Sequence, residues 1–486
     1  MKSWQKNLAA ALFGLLLITL IELALRFTGF YPAACSLDPF VSFKEDVPVL
    51  VEANYQGMPV VTINPRLNSY FNLVAFPKDK PPGTRRIFVL GGSDVMGFPF
   101  GARGAFAEFL SQALKELDHS HSYQVINLGG FGYASYRVER VFRDALNFSP
   151  DLVIIMTGHN EFLEKREYSA PEKLTRIRKK LSQFKIYCLL KTVVFKIHPP
   201  AGKPLIATEV KWEHFTLDPV MRERIIAHYQ FNLQKMAQQA WEQKVPALFL
   251  TLPSNLKDFP PFHSEHKPGI SSADLAEWEK NFKQAQELMA EKNFGEAVQF
   301  LQLAAAIDPD YGMGWYLLGR ALLATGADAD ARAAFEFALE KDSWQVRALP
   351  EFNKTIRGLK DQAHVLDLVP FFDAVSPANI PGDNLFLDHC HPRLETQALI
   401  AKEILRKLNQ DKLLSLPRDW ENVFEQSVKT YIDSLPPSFL AAAYYRLAVE
   451  TGINMGLKDL GRKYLELGLA LEPDNPKLKA LAPKLK

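Results

Sequence analysis

Arg85-Arg86-Ile87-Phe88-Val89-Leu90-Gly91-Gly92-Ser93 decides the fold. The unbroken apolar run Ile87–Leu90 describes a strand buried on both faces, and such strands belong to parallel sheets. Two glycines end it, and Ser93 follows where a hydroxyl would be lifted to the strand's carboxyl end. Tyr123–Ile126, Leu152–Met156, Ala247–Thr251 and His364–Val369 repeat the strand pattern. Helical stretches at Ala105–Leu117, Tyr136–Leu146, Met221–Gln243 and Leu394–Leu408 separate or follow them. Strands alternating with helices at this spacing predict an α/β fold, a parallel sheet covered on both faces. Ligands of such folds bind at the carboxyl ends of the strands.

Three further motifs stand in telling places. Asn127-Leu128-Gly129-Gly130-Phe131-Gly132 and Gly158-His159-Asn160-Glu161 each follow a predicted strand, and Asp388-His389-Cys390-His391-Pro392 lies far downstream. Together with Ser93 they hold what acyl transfer through a serine needs: a nucleophile, N–H donors for an oxyanion, and an Asp/His pair to move the proton. Asn160 suits the donor role because its amide does not titrate, and Gly132 lets the backbone approach an oxyanion with no Cβ in the way. Asp388-His389-Cys390-His391 also has the residue types of a metal site. No other well-placed ligands accompany it, so no metal and no cofactor is expected. His389 then reads as a structural hydrogen-bonding residue and Cys390 as a packed small hydrophobe.

This constellation resembles the SGNH hydrolases, also called the GDSL esterase/lipase family. The resemblance covers roughly residues 84–265 and 346–410. It implies a flavodoxin-like, three-layer α/β/α domain with Ser93, Asp388 and His391 as the catalytic triad. The oxyanion hole would be the Ser93 N–H, the Gly132 N–H and the Asn160 side chain. Two departures stand out: Gly92 replaces the Asp of the family's name motif, with Asp94 following the serine, and Glu161 stands where the third block usually has Asp. His159 and Asn255, the latter in a loop beginning at the end of the Ala247–Thr251 strand, are candidate substrate contacts. A turn-forming role is the plainer reading of Asn255.

A second pattern interrupts the first. Ala297, Leu301, Ala304 and Pro309 recur 34 residues later as Ala331, Phe335, Ala338 and Ser343. Trp315, Leu318, Gly319 and Gly326 fill other positions of the second unit. This resembles the tetratricopeptide repeat (TPR), whose small residues let two helices pack closely. Residues 278–345 are read as a TPR-like insertion that docks a protein partner or shapes a substrate groove. A weaker match lies at about 442–475, within C-terminal helices spanning 411–486.

The first 30 residues have a different character. Lys2 and Lys6 precede the apolar run Leu8–Leu25, whose only charge is Glu22. Its length of roughly 27 Å is just enough to cross a bilayer core, and the lysines favour a cytoplasmic N-terminus with the remainder exported. An uncleaved signal anchor is preferred to a cleaved signal peptide, because no clean cleavage site follows closely; Pro32 spoils the lipoprotein-like Ala33-Ala34-Cys35. The expectation is a single-pass membrane protein with its catalytic domain outside the cytoplasm. Residues 31–83 read as an irregular juxtamembrane segment with strand-like pieces at Val60–Ile63 and Tyr70–Ala75. Three cysteines, Cys35, Cys188 and Cys390, predict no disulfide framework. A net charge of +2 argues against a nucleic-acid binder. The segment Arg166–Lys203, with ten Lys/Arg against two acidic residues, reads as a lid, a basic helix on anionic lipid or polysaccharide, or a solvated amphipathic helix.

The sequence therefore predicts a membrane-anchored serine esterase or acylhydrolase acting on an acyl ester. A polysaccharide O-acyltransferase with the same triad and a non-catalytic TPR adaptor of the cell envelope are the alternatives.

Overall fold

The computed structural model describes residues 3–27, 43–44, 48–163, 177, 181, 184–197, 203–204 and 218–485. Most of the basic segment Arg166–Lys203 lies outside the described residues. The chain divides into two compact units: Met1–Pro48, Lys165–Thr208 and Glu242–Lys244 form the smaller, and the remainder forms the larger.

In the smaller unit, Ser3–Phe27 is one helix, and its stretch Trp4–Phe27 is long and apolar enough to cross a membrane. Glu22 has a structural purpose here. Its carboxylate accepts the backbone N–H groups of Lys185 and Ile186 at 3.1 and 2.9 Å, capping the helix Lys185–Ile197, and it also pairs with Arg26 at 2.8 Å. Such first-turn N–H groups have no partner within their own helix. The two-residue strands β1 (Phe43–Lys44) and β8 (Lys203–Pro204) pair in parallel. Cys188 is disulfide-bonded whereas Cys390 is a free, buried thiol; this is a single bond and not a disulfide framework. The spacing of three cysteines carries no pairing signal, so the sequence could not give this.

The larger unit begins with an antiparallel sheet of β2 (Leu50–Tyr55), β3 (Met58–Ile63) and β4 (Ala75–Pro77). A two-residue turn, Gln56-Gly57, joins the first two strands with φ of 51° and 84°. Two left-handed residues match the twist of a tight hairpin.

The central sheet is all parallel: β5 (Thr84–Gly91), β6 (Ser122–Gly129), β7 (Leu152–Met156), β9 (Ala247–Leu250) and β10 (His364–Leu366), in spatial order β10-β9-β7-β5-β6. Counting only these strands, the order is 2-1-3-4-5, the doubly wound flavodoxin-like arrangement. The chain reverses direction between β5 and β7, which opens a crevice at their carboxyl ends. Helices Phe106–Leu117 and Leu394–Gln410 pack together, and Phe106 N–H donates to Gln397 across them at 2.8 Å. Ser135–Leu146 and Pro219–Glu242 form another pair, joined by Glu139–Lys235 at 2.9 Å. β10 stops earlier than predicted because Asp367 turns the chain into the helix Leu368–Ala374, held by Thr251 Oγ1 donating to Asp367 Oδ1 at 2.8 Å.

Between β9 and β10 stand two helical hairpins, Ser272–Ala290 with Phe294–Ile307 and Gly312–Ala324 with Asp328–Glu340. Of the residues that repeat in sequence, Ala297, Leu301, Ala331, Phe335 and Ala338 are buried in their shared core, and Ala304 is buried as well. A further helix pair, Pro437–Val449 and Lys458–Leu471, is joined through a π-turn at Glu450–Asn454.

Candidate active site

β5 delivers Ser93 to the crevice as the first residue of a short helical turn, Ser93–Met96. Neighbouring segments fix this turn. Asn127, at the end of β6, donates through Nδ2 to Val95 O at 2.7 Å, while its Oδ1 accepts Gly129 N–H at 2.9 Å. Asn72 donates to Met96 O at 2.8 Å.

Ser93 Oγ lies 2.8 Å from His391 Nε2, and His391 Nδ1 lies 2.6 Å from Asp388 Oδ2. The other carboxylate oxygen of Asp388 accepts the backbone N–H groups of Cys390 and His391 at 3.0 and 2.9 Å. All three side chains are buried. Burial alone would raise the Asp388 carboxyl, yet the His391 and His389 rings and its hydrogen bonds hold it well below the usual carboxylate range. Burial would likewise lower His391, but the Asp388 carboxylate overrides this and raises it. Phe98 covers the imidazole, its ring centroid 4.7 Å away.

Two of the donors expected around Ser93 are Gly132 N–H and the Asn160 amide. The N–H groups beside Gly132 are engaged: Phe131 donates to Tyr70 O at 2.7 Å and Tyr133 to Gly130 O at 3.2 Å. Gly132 itself, at φ 70°, has an N–H without an acceptor among the described residues. Asn160 donates one amide hydrogen to Tyr133 O at 3.1 Å, leaving the second. A Cβ on Gly92 would lie 2.6 Å from Asn160 Nδ2, so glycine at this position leaves room for the amide. Glu161 accepts the backbone N–H and the hydroxyl of Ser135 at 2.6 and 3.1 Å, and thereby caps the helix Ser135–Leu146.

Asn255 is fully buried and both amide hydrogens are engaged, with Asp383 Oδ1 and Asp388 O, each at 3.0 Å. No donor remains for a ligand, and the residue braces the acid motif. His159 is buried and accepts the Ala348 N–H on Nδ1 at 3.1 Å. Ligand atoms of Asp388, His389, Cys390 and His391 lie within 4.8 Å of one another. Both His391 nitrogens already have protein partners, Ser93 Oγ and Asp388 Oδ2. The side-chain hydrogen bond between His391 and Asp388 already engages two of these four residues.

Three residues near the site had no role assigned from sequence. Arg347 is buried and donates to Asn255 O and Phe259 O, both at 2.9 Å. Asp94 has a buried Oδ2 without a partner among the described residues, and burial pushes its carboxyl up to about 6. Glu450, on the π-turn, is raised by burial and lies within electrostatic reach of His391 and Asp388. Only chain folding brings these groups together; Asp94 alone sits beside a recognisable motif.

Comparison with known proteins adds one family. The tetratricopeptide repeat model matches residues 288–343, from the end of the helix Ser272–Ala290 to just past Asp328–Glu340. No curated protein matches the chain. Among solved structures, the chain is similar to a Bacteroides fragilis protein provisionally assigned as an acylhydrolase, with 13% identity and a TM-score of 0.27 over 69% of this chain and 91% of that one. At that level the likeness carries no argument about activity.

Proposed function

We propose that this chain is a membrane-anchored serine esterase of the SGNH type, with Ser93, His391 and Asp388 as its triad. The observation that carries the reading is the hydrogen-bonded chain from Ser93 Oγ through His391 to Asp388, set beside the unengaged Gly132 N–H and second Asn160 hydrogen.

His391 Nε2 takes the Ser93 proton as Oγ attacks the ester carbonyl carbon. Negative charge moves onto the carbonyl oxygen, where the N–H groups of Ser93 and Gly132 and the Asn160 amide stabilise it. His391 then gives its proton to the leaving alcohol, and the C–O bond of the ester breaks to leave acyl-Ser93. Water, deprotonated by His391, attacks the acyl carbon, and Ser93 regains its proton as the carboxylic acid departs. Asp388 stays ionised throughout, orienting the ring and stabilising its cationic form.

A second reading is supported by the burial of Ser93, His391 and Asp388. A site that limits water favours an alcohol as acceptor, which would make the enzyme an O-acyltransferase. Localisation outside the cytoplasm is supported by the apolar N-terminal helix and by the disulfide at Cys188, since such bonds persist in oxidising compartments. The TPR-like hairpins would dock a protein partner.

The test is hydrolysis of short-chain aryl and sugar acetates by the full chain in detergent, with and without an added glycan. Activity surviving Ser93→Ala removes the mechanism and leaves the adaptor reading. Acyl appearing on the glycan instead of in water selects the transferase.

A further inference from the structure

We propose that His159, His389 and Arg347 form a neutral, donor-rich subsite beside His391 that takes the hydroxyl-bearing alcohol part of the substrate, a polyol or sugar. The inference rests on the serine reading for its location and names the substrate class.

The argument begins with a tautomer. His159 Nδ1 accepts the Ala348 N–H, so that nitrogen carries no proton. Burial first, then the neighbouring His389 and His391 rings, push the imidazole down to about 3, so the ring is neutral at ordinary pH. Its single proton is therefore on Nε2. This N–H is buried and has no acceptor among the described residues, a condition proteins seldom tolerate without a role.

Two more atoms share that condition nearby. His389 Nδ1 is buried without a hydrogen bond, 3.4 Å from Asp388 Oδ1, on a ring 5.3 Å from that of His391. Arg347 Nε is unpartnered among the described residues, while its other nitrogens hold Asn255 O, Phe259 O and Asp342. One aromatic ring connects the last two: Phe259 lies 5.5 Å from the His389 ring and 5.5 Å beneath the Arg347 guanidinium, and both groups lie within electrostatic reach of His159.

Charge and shape select among ligands. Asp342 matches the Arg347 charge at 3.4 Å, and burial keeps His389 neutral by pushing it down to about 4. No surplus cation is left for a phosphate or carboxylate. Phe259 packs with Leu163, Trp344, Val346 and Met455 into an apolar wall. An oxygen-rich ligand with a C–H face answers both the donors and the wall.

The full chain in detergent would be assayed with p-nitrophenyl acetate, whose leaving group has no alcohol hydroxyls, and with a mono-O-acetylated methyl glucoside. His159→Ala is expected to lower the ratio of kcat/KM for the sugar ester over the aryl ester about tenfold. His159→Gln, which keeps an N–H donor, should recover most of it. An unchanged ratio, or no recovery with Gln, overturns the subsite. A measurement independent of turnover is saturation-transfer NMR of Ser93→Ala protein with free methyl glucoside. Transfer that glycerol phosphate does not displace supports the proposal; no transfer, or preference for glycerol phosphate, overturns it. Failure of a fluorophosphonate to label Ser93 in the wild-type protein would strike the serine reading instead, leaving the NMR result to judge the subsite alone.

Discussion

The side-chain amide of Asn255 donates to the backbone carbonyl of Asp388 at 3.0 Å, and the Asn255 backbone N–H donates to His389 O at 3.0 Å. The loop after β9 thus holds the acid motif across the whole TPR-like insertion. Arg347, which follows that insertion, donates to Asn255 O at 2.9 Å, and its partner Asp342 accepts the N–H groups of Phe262 and His263 at 2.8 and 3.1 Å. The last repeat helix and the triad are therefore tied to the same loop. This explains how an acid and base so distant in sequence keep their register with Ser93.

Asn255→Ala is expected to lower kcat by roughly ten- to a hundredfold with little change in KM, because it loosens Asp388 without touching substrate. Steady-state kinetics on an aryl acetate checks this. A rise in KM with kcat intact would make Asn255 a substrate contact.

The pH profile follows from the direction of the His391 shift. The base must be neutral to accept the Ser93 proton, so kcat/KM falls as pH drops through the His391 pKa. The Asp388 carboxylate raises that pKa despite burial, so the acid limb should lie above the ordinary histidine value of about 6.5. Asp94 also raises His391. Asp94→Asn should therefore move the limb to lower pH, and a limb that stays or moves upward contradicts the electrostatic account.

Asn160→Ala removes the neutral donor proposed for the oxyanion. It should lower kcat roughly a hundred- to a thousandfold while Tm changes little. Gly92→Ala should do similar harm, since its Cβ would stand 2.6 Å from the Asn160 amide. Near-normal kcat in Asn160→Ala would remove this residue from the oxyanion hole.

Gly319 allows two repeat helices to touch: a Cβ there would lie 2.8 Å from the Phe335 ring. Gly319→Ala should destabilise the hairpin by about 1–3 kcal/mol, read by urea unfolding. Because the insertion and the triad share the Asn255 loop, the rate of fluorophosphonate labelling should fall as well.

The sequence revealed the central sheet because its strands are buried apolar runs that punctuation by glycine or helix makes plain. Leu50–Tyr55 escaped notice because Glu52, Ala53, Asn54 and Tyr55 are exposed, and its hairpin turn is Gln-Gly where Asn-Gly is the usual signal. Ser93, Asp388 and His391, which hydrogen bonds join in the structure, each sit in a short motif at a strand end or loop. Arg347 and Glu450 sit in no such motif. Their meaning depends on which distant groups they meet, and lone charged residues near helix ends look the same whether solvated or buried.

The central claim is that Ser93 is the nucleophile. Its most direct measurement is peptide mass spectrometry of the full chain after reaction with a fluorophosphonate. The account predicts one phosphonyl adduct, on Ser93, absent in Ser93→Ala and formed much more slowly in His391→Ala, with esterase activity lost in step. An unmodified Ser93 peptide in protein that still hydrolyses esters would contradict it.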